Sequence, residues 1–125
     1  MTKEQNETVG ALKRAAKGLR MPSETDAPFE AFAWNDAGKL TPDRVLQLAG
    51  EPKGTAIEAS SLDELFATVP SEDKGKFQKL RQAIQAQLSD VEVYKVGDGP
   101  ERQVYIVGKA KDGRWAGLKT TVVET

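Results

Sequence analysis

The last residue of the chain, Thr125, combines the oxygen of a side-chain hydroxyl with those of a free α-carboxylate. Hard oxygen ligands of this kind suit a cation such as Mg²⁺. Terminal residues fray unless neighbouring structure holds them. The ending W-A-G-L-K-T-T-V-V-E-T, which begins at Trp115, is rich in β-forming residues. We therefore expect the chain to end on a strand that holds these oxygens in place.

A second group of oxygens lies in an acidic stretch between Met21 and Gly38. It contains no Lys or Arg and four carboxylates: Glu24, Asp26, Glu30 and Asp36. Residues 3–20, by contrast, contain five basic side chains. An acidic run of this kind is usually a solvated loop. The alternative is an acidic surface that faces a basic or metal-containing site on a partner, and both interpretations stay open at this point.

The residue types exclude several kinds of chemistry. The chain contains no cysteine and no histidine. Disulfides, Cys/His zinc sites, Ser-His-Asp triads and imidazole acid–base catalysis are therefore excluded. A carboxylate-based enzyme remains an alternative, although the spacing of Glu24 and Glu30 does not require such chemistry. The formal net charge of −1 gives no global electrostatic reason to expect nucleic-acid binding.

Length and composition predict one globular domain over residues 1–125. Hydrophobic residues make up 38% of the chain and charged residues 30%, and the apolar stretches are only a few residues long. We therefore expect no transmembrane helix. The polar start M-T-K-E-Q-N-E-T lacks the apolar region of a secretory signal, which predicts a cytoplasmic location.

Periodicity and turn residues predict an α+β fold in layers. Helices are expected over residues 3–19, after Thr41-Pro42 up to Gly50, after a capping Ser61, and over residues 72–88. The predicted strands are Phe29 to Trp34, a short piece T-A-I-E-A, Val91 to Val96, Gln103 to Lys109, and Trp115 to Val123. The last three form an antiparallel meander, with a two-residue hairpin turn at Asp112-Gly113.

Two further features are predicted to be structural. Trp34 and Trp115 are expected in the core or at a sheet edge rather than in a ligand site. The basic N-terminal helix is expected to be a solvated face. Its cations do not alternate with aromatic residues along the chain, as they do in many sites for single-stranded nucleic acid.

Three blocks of sequence resemble the nuclease A inhibitor family over essentially the whole chain. The first is G-L-x-x-x-S-E leading into P-F-E-A-F-A-W, from Gly18 to Trp34. The second is K-F-Q-K-L, from Lys76 to Leu80. The third is the ending V-Y-x-V-G…V-Y-I-V-G…A-G-L-K-T-T-V-V-E-T. Members of this family are small bacterial proteins that block a sugar-nonspecific, metal-dependent endonuclease.

The resemblance implies a layered α/β/α sandwich with a C-terminal antiparallel meander, similar to the pathogenesis-related-1 fold. It implies no enzymatic activity and no cofactor. The expected partner is a nonspecific nuclease, with no direct contact to nucleic acid or membrane, and the free protein is expected to be a monomer.

The resemblance also implies a binding mode. The residue that matches the family's last position, Thr125, would enter the nuclease active site and reach the catalytic Mg²⁺ with its oxygens. The glutamate of the S-E loop, Glu24, would join it there. Their neighbours Ser23, Asp26 and Glu124 are predicted to contact the partner. No metal is expected in the free protein.

The sequence departs from the family pattern between Phe66 and Phe77. The connection A-T-V-P-S-E-D-K-G-K is short, where a member of the family carries a longer acidic loop. This departure leaves open the contribution of the connection to binding and the identity of the target. A non-enzymatic interaction module with the same fold and a different protein partner is the alternative function.

Overall fold

Helices and strands interleave along the chain, beginning with a helix and ending with a long strand. The computed structural model describes residues 3–23 and 26–123. The helices are α1 (Lys3–Ala16), α2 (Pro42–Ala49), α3 (Leu62–Phe66) and α4 (Lys74–Gln87), with a 3-10 turn at Ser71–Asp73 before α4. The strands are β1 (Arg20–Met21), β2 (Ala27–Pro28), β3 (Glu30–Ala33), β4 (Ile57–Ser60), β5 (Ser89–Val96), β6 (Glu101–Lys109) and β7 (Trp115–Val123).

Five of these strands form one antiparallel sheet in the order β3-β7-β6-β5-β4. The pairing of β6 with β7 runs from Glu101 opposite Val123 to Lys109 opposite Trp115. The predicted C-terminal meander is therefore confirmed. Strands β1 and β2 form a separate two-stranded hairpin.

Side chains alternate across the sheet and fill one core on each of its faces. Ile106 and Leu118 point to the face that α1, α3 and α4 cover. Tyr105 and Val107 point to the opposite face, where α2 packs through Val45. The fold class is α+β, as predicted, with helices on both sides of the sheet. The described part of the chain has no helix that is long and apolar enough to cross a membrane.

Local capping residues account for the helix boundaries. The Thr41 hydroxyl accepts a hydrogen bond from the Arg44 N–H at 3.2 Å, and α2 ends at Gly50 with φ of +77°. The Ser61 hydroxyl accepts one from the Glu64 N–H, also at 3.2 Å. Each cap satisfies backbone groups that the helix leaves unpaired. The boundaries at Thr41, Gly50 and Ser61 confirm the sequence prediction. Helix α1 ends at Ala16, three residues before its predicted end.

The hairpin between β6 and β7 is longer than predicted. Ala110 N–H donates to the Arg114 carbonyl at 2.9 Å, which closes a three-residue loop. Gly113 occupies the left-handed region with φ of +84° and donates to the Ala110 carbonyl at 3.0 Å. The prediction of a two-residue turn is therefore wrong. Gly113 occupies the third position of the loop instead of the second position of a two-residue turn. Its left-handed conformation lets a three-residue loop match the twist of the two strands.

Candidate functional site

The end of β7 contacts the β1–β2 hairpin, which precedes it in sequence by about a hundred residues. The Thr120 hydroxyl donates to the Pro28 carbonyl at 3.0 Å, and only 3% of Thr120 is exposed. A buried hydroxyl needs a partner to offset its lost hydration, so this contact fixes β2 against β7. The hairpin is thereby held beside the last strand.

A second hydrogen bond joins the loop of the hairpin to the end of the strand. The Val123 N–H donates to the Ser23 hydroxyl oxygen at 3.1 Å, and the two residues lie 100 positions apart. Val123 is the last residue of β7, so its N–H lies at the end of the sheet. The hydroxyl satisfies this backbone donor and ties the loop to the strand end.

The base of the same loop is held from both sides. The Arg20 guanidinium donates to the Asp26 carbonyl at 3.1 Å across the hairpin, while the carboxylate of Asp26 is exposed. On the other side Met21 is 1% exposed and belongs to the core between the sheet and its helices. The loop therefore starts and ends at fixed positions.

A recess of about 420 Å³ lies between this loop and α3. Its apolar wall includes Met21, Leu65 and Val122, and Glu64 and Lys95 line it with charged groups. Ser23 and Val123 form part of its rim. The linked loop and strand end thus border a concave surface that has the size and mixed chemistry of a contact site.

The structure places two of the five predicted partner-contacting residues. Ser23 lies against β7, and Asp26 lies at the exposed base of the hairpin loop. The other three lie outside the described residues and stay predictions: Glu24, Glu124 and Thr125. Sequence spacing could not reveal the contact between residues 23 and 123, because no local pattern marks a hydrogen bond over such a separation.

The acidic stretch between Met21 and Gly38 does not form one surface. This corrects the interpretation that the whole stretch faces a partner. The Asp36 carbonyl accepts a hydrogen bond from the Trp115 N–H, at the start of β7. Trp115 and Val123 are separated by about 27 Å along an antiparallel strand. Asp36 thus lies at the end of the sheet opposite to the Ser23 loop.

Asp36 has a structural partner of its own. Its carboxylate accepts a hydrogen bond from the Arg44 guanidinium at 2.8 Å, which links the loop before α2 to that helix. This hydrogen bond, together with one from the Gly38 N–H, lowers the pKa of Asp36 below its ordinary value. The carboxylate therefore stays ionised in an intramolecular contact.

The tryptophans are structural, as predicted. Trp115 is 6% exposed, and its indole N–H donates to the Gly38 carbonyl at 2.7 Å. Trp34 is half-buried and packs against Phe32 with ring centroids 4.6 Å apart. Both belong to the face of the sheet that α2 covers.

The connection between Phe66 and Phe77 is anchored to the core at one residue, Val69. The two phenyl rings meet edge to face with centroids 5.2 Å apart. Val69 between them is 3% exposed. The rest of the connection lies at the surface: Glu72 is exposed in the 3-10 turn, and Lys74 and Lys76 are exposed in the first turn of α4.

Comparison with known proteins identifies a family over nearly the whole chain. Residues 6–125 match the family described as nuclease A inhibitor-like protein. This confirms the resemblance carried by the three sequence blocks. No curated protein matches the chain.

Proposed function

The chain belongs to the nuclease A inhibitor-like family, and we propose on this basis that it inhibits a sugar-nonspecific, metal-dependent nuclease without catalytic activity of its own. In the proposed complex, Thr125 and Glu24 approach the catalytic Mg²⁺ of the nuclease. The hydrogen bond between Ser23 and Val123 is the observation that supports this binding mode. Glu24 follows Ser23 directly, and Thr125 is two residues beyond Val123.

The chemistry of these residues suits a nuclease active site. A nonspecific nuclease binds phosphates through basic residues and a hard metal ion. The carboxylate of Glu24 and the oxygens of Thr125 are hard anionic ligands that can replace phosphate oxygens at such a site. The inhibitor would then compete directly with the nucleic-acid backbone.

Anchoring of both segments lowers the entropy lost on binding. Ser23 lies in a loop whose base is held by Arg20 and Met21, and Val123 ends a strand paired along its length with β6. Ordering these segments only after contact with the nuclease would reduce the affinity. The exposed carboxylate of Asp26 adds long-range attraction to a basic cleft, which speeds association at low salt.

Inhibition by the intact protein and loss of inhibition in Glu24→Gln are the direct tests. The protein is titrated into a Mg²⁺-dependent nonspecific nuclease, with hydrolysis of plasmid DNA as the readout. We expect the wild type to inhibit completely at excess. Removal of one buried charge partner costs about 2–5 kcal/mol, so Glu24→Gln should inhibit about 30-fold more weakly or worse.

Glu30→Gln is the matched control for Glu24→Gln. Glu30 belongs to the same acidic stretch but lies exposed in β3, opposite Lys119. Its substitution should change the inhibition constant by no more than about threefold, since solvent screens an exposed charge that lies outside the proposed contact. If Glu24→Gln and Glu30→Gln weaken inhibition equally, the effect comes from the change in net charge and not from a specific contact of Glu24. No inhibition by the wild type would reject that nuclease as the target.

Ser23→Ala tests the link between the loop and β7. The variant leaves the Val123 N–H without its hydroxyl acceptor. A typical hydrogen bond stabilises by about 0.5–1.5 kcal/mol. We expect inhibition to weaken by about 2- to 12-fold, mainly through faster dissociation measured by surface plasmon resonance.

Ser89→Ala serves as the control for this substitution, because Ser89 is an exposed serine at the start of β5. It should leave both dissociation rate and melting temperature near the wild-type values. If the complex of Ser23→Ala with the nuclease dissociates at the wild-type rate, the hydrogen bond between Ser23 and Val123 does not contribute to binding.

The connection between Phe66 and Phe77 supports one alternative, an interaction module that binds a different protein. At the surface of this segment the exposed Glu72 is followed by the exposed Lys74 and Lys76, so its charge is mixed rather than purely acidic. Capture of partners from the source cell, with the intact chain and with a chain lacking Thr125, distinguishes the alternatives. Capture of a non-nuclease protein that depends on Thr125 would favour the interaction module.

A further inference from the structure

A basic groove lies where α1 ends and the hairpin begins, away from the turn of the hairpin. Its volume is about 470 Å³, within the range of ligand sites. Four exposed cationic side chains line it: Lys13, Arg14, Lys17 and Arg20. The groove therefore combines a defined cavity with a local concentration of positive charge on a protein whose net charge is −1.

The floor of the groove is apolar and includes an aromatic ring. Leu19 and Phe29 are half-buried and line the cavity beside the cations. The Phe29 ring meets that of Phe77 at 6.2 Å in an edge arrangement, which holds it in place from the core side. Phe29 is nine positions beyond Arg20 in the chain, so the linear pattern concealed this arrangement. The basic face is exposed to solvent, as expected, and has an aromatic neighbour that the sequence pattern did not indicate.

The positive charge of the groove is not neutralised by the described part of the chain. Within it, Lys13, Arg14 and Lys17 form no ion pair with an acidic residue. Arg20 donates to a neutral acceptor, the Asp26 carbonyl. Four cations that line one cavity repel one another, so an anionic ligand would offset this electrostatic repulsion.

The dipole of α1 accounts for only part of this cluster. Lys13 and Arg14 lie in its last turn, where basic side chains stabilise the partial negative charge of the helix end. Lys17 directly follows Ala16 and shares this stabilisation, whereas Arg20 lies four residues beyond the helix and gains little, because the effect falls off within one turn. Their convergence on the same cavity indicates a site for several negative charges.

We propose that this groove binds a short single-stranded nucleic acid. The four cations contact successive phosphates, and an unpaired base packs against Phe29 and Leu19. Aromatic rings favour unpaired bases over simple anions because every base has a π-face. The groove shares Arg20 with the base of the Ser23 loop, so the variants that test it leave Arg20 unchanged and the inference is tested apart from the nuclease-inhibitor proposal.

Fluorescence anisotropy with a fluorescein-labelled oligothymidylate of ten nucleotides tests the proposal, in EDTA and without nuclease. Four phosphate contacts on a single strand predict a slope of about −2.8 for log affinity against log salt. Between 50 and 200 mM salt the affinity should thus fall about 50-fold. Loss of inhibition and loss of this binding are separate results, since the two assays share no component besides the protein.

Lys13→Gln combined with Lys17→Gln should halve the salt slope, because two of the four phosphate contacts are removed. Lys76→Gln combined with Lys79→Gln is the matched control, with the same charge change on the exposed face of α4. Phe29→Leu should reduce affinity about fivefold or more through lost stacking. Circular dichroism confirms that each variant is folded.

Three results would overturn the proposal. The first is no binding at 50 mM salt, and the second is an equal effect of the two double lysine variants. The third is equal affinity for a labelled poly-glutamate peptide of matched charge, which would assign the groove to acidic protein segments. A wild-type affinity for Phe29→Leu together with a reduced slope for the lysine variant would restrict the site to phosphate alone and reject base stacking.

Discussion

Deletion of Thr125 is expected to weaken inhibition of the target nuclease by about 100-fold or more. The deletion removes the hydroxyl and moves the α-carboxylate back by one residue, about 3.4 Å along an extended chain. Metal ligands need their oxygens within a few tenths of an ångström of the ideal distance. Loss of one buried charge contact costs about 2–5 kcal/mol, and the displaced carboxylate does not restore it. Titration of plasmid hydrolysis measures the inhibition constant.

An added glycine after Thr125 gives the same test in the opposite direction. It retains the threonine side chain but moves the carboxylate outward, so inhibition should fall to a similar degree. The same glycine added before Met1 is the control and should have no effect. Neither change alters the paired residues of β7, so the melting temperature should stay within about 2 °C of wild type. Full inhibition by the deletion variant would reject the proposed binding mode.

Gly117→Ala is expected to destabilise the fold by about 3 kcal/mol or more, the upper range of overpacking effects. Gly117 lies in β7 between two paired strands, opposite Val107 of β6 and Phe32 of β3. A methyl group there would overlap the backbone carbonyl of Ile106. A backbone atom cannot rotate away as a side chain can, so the strands must separate. Thermal unfolding followed by circular dichroism should show a melting temperature lower by about 10 °C or more.

Gly75→Ala adds the same methyl group where there is room for it. Gly75 lies in α4, and an added Cβ would meet nothing within 4 Å. Alanine favours a helix over glycine by about 1 kcal/mol, so this variant should be as stable as wild type or more stable. A wild-type melting temperature for Gly117→Ala would show that β6 and β7 are farther apart than described.

The local elements were largely predictable from the sequence, because their signals are contained in a few adjacent residues. The predicted bounds of β7, Trp115 to Val123, agree with the structure at both ends. Thr41, Gly50 and Ser61 marked helix boundaries, since capping depends on the chemistry of one or two side chains. The hairpin at Asp112-Gly113 was located correctly, but its loop length depends on strand twist and was predicted one residue too short.

The arrangement of the candidate site was not predictable in the same way. One of the two interpretations of the acidic stretch was a single surface facing a partner, but strand β3 carries Glu30 away from the loop, and Asp36 pairs with Arg44 at the far end of the sheet. The basic face of α1 is exposed to solvent, as predicted, but the fold also brings Phe29 beside its cations, which the sequence did not indicate. In the first case, residues that are close in sequence are separated in space. In the second, residues that are apart in sequence are brought together.

By itself, the sequence determined the α+β class, the C-terminal meander and, through its resemblance, the family. It also excluded thiol and imidazole chemistry, because that depends only on which residues are present. Only the tertiary structure decided that Ser23 accepts a hydrogen bond from Val123, and so which loop lies beside the end of β7. The physical reason is that such a contact depends on the packing of the whole hairpin against the sheet, where Met21 and Thr120 are buried, and no local sequence pattern encodes it.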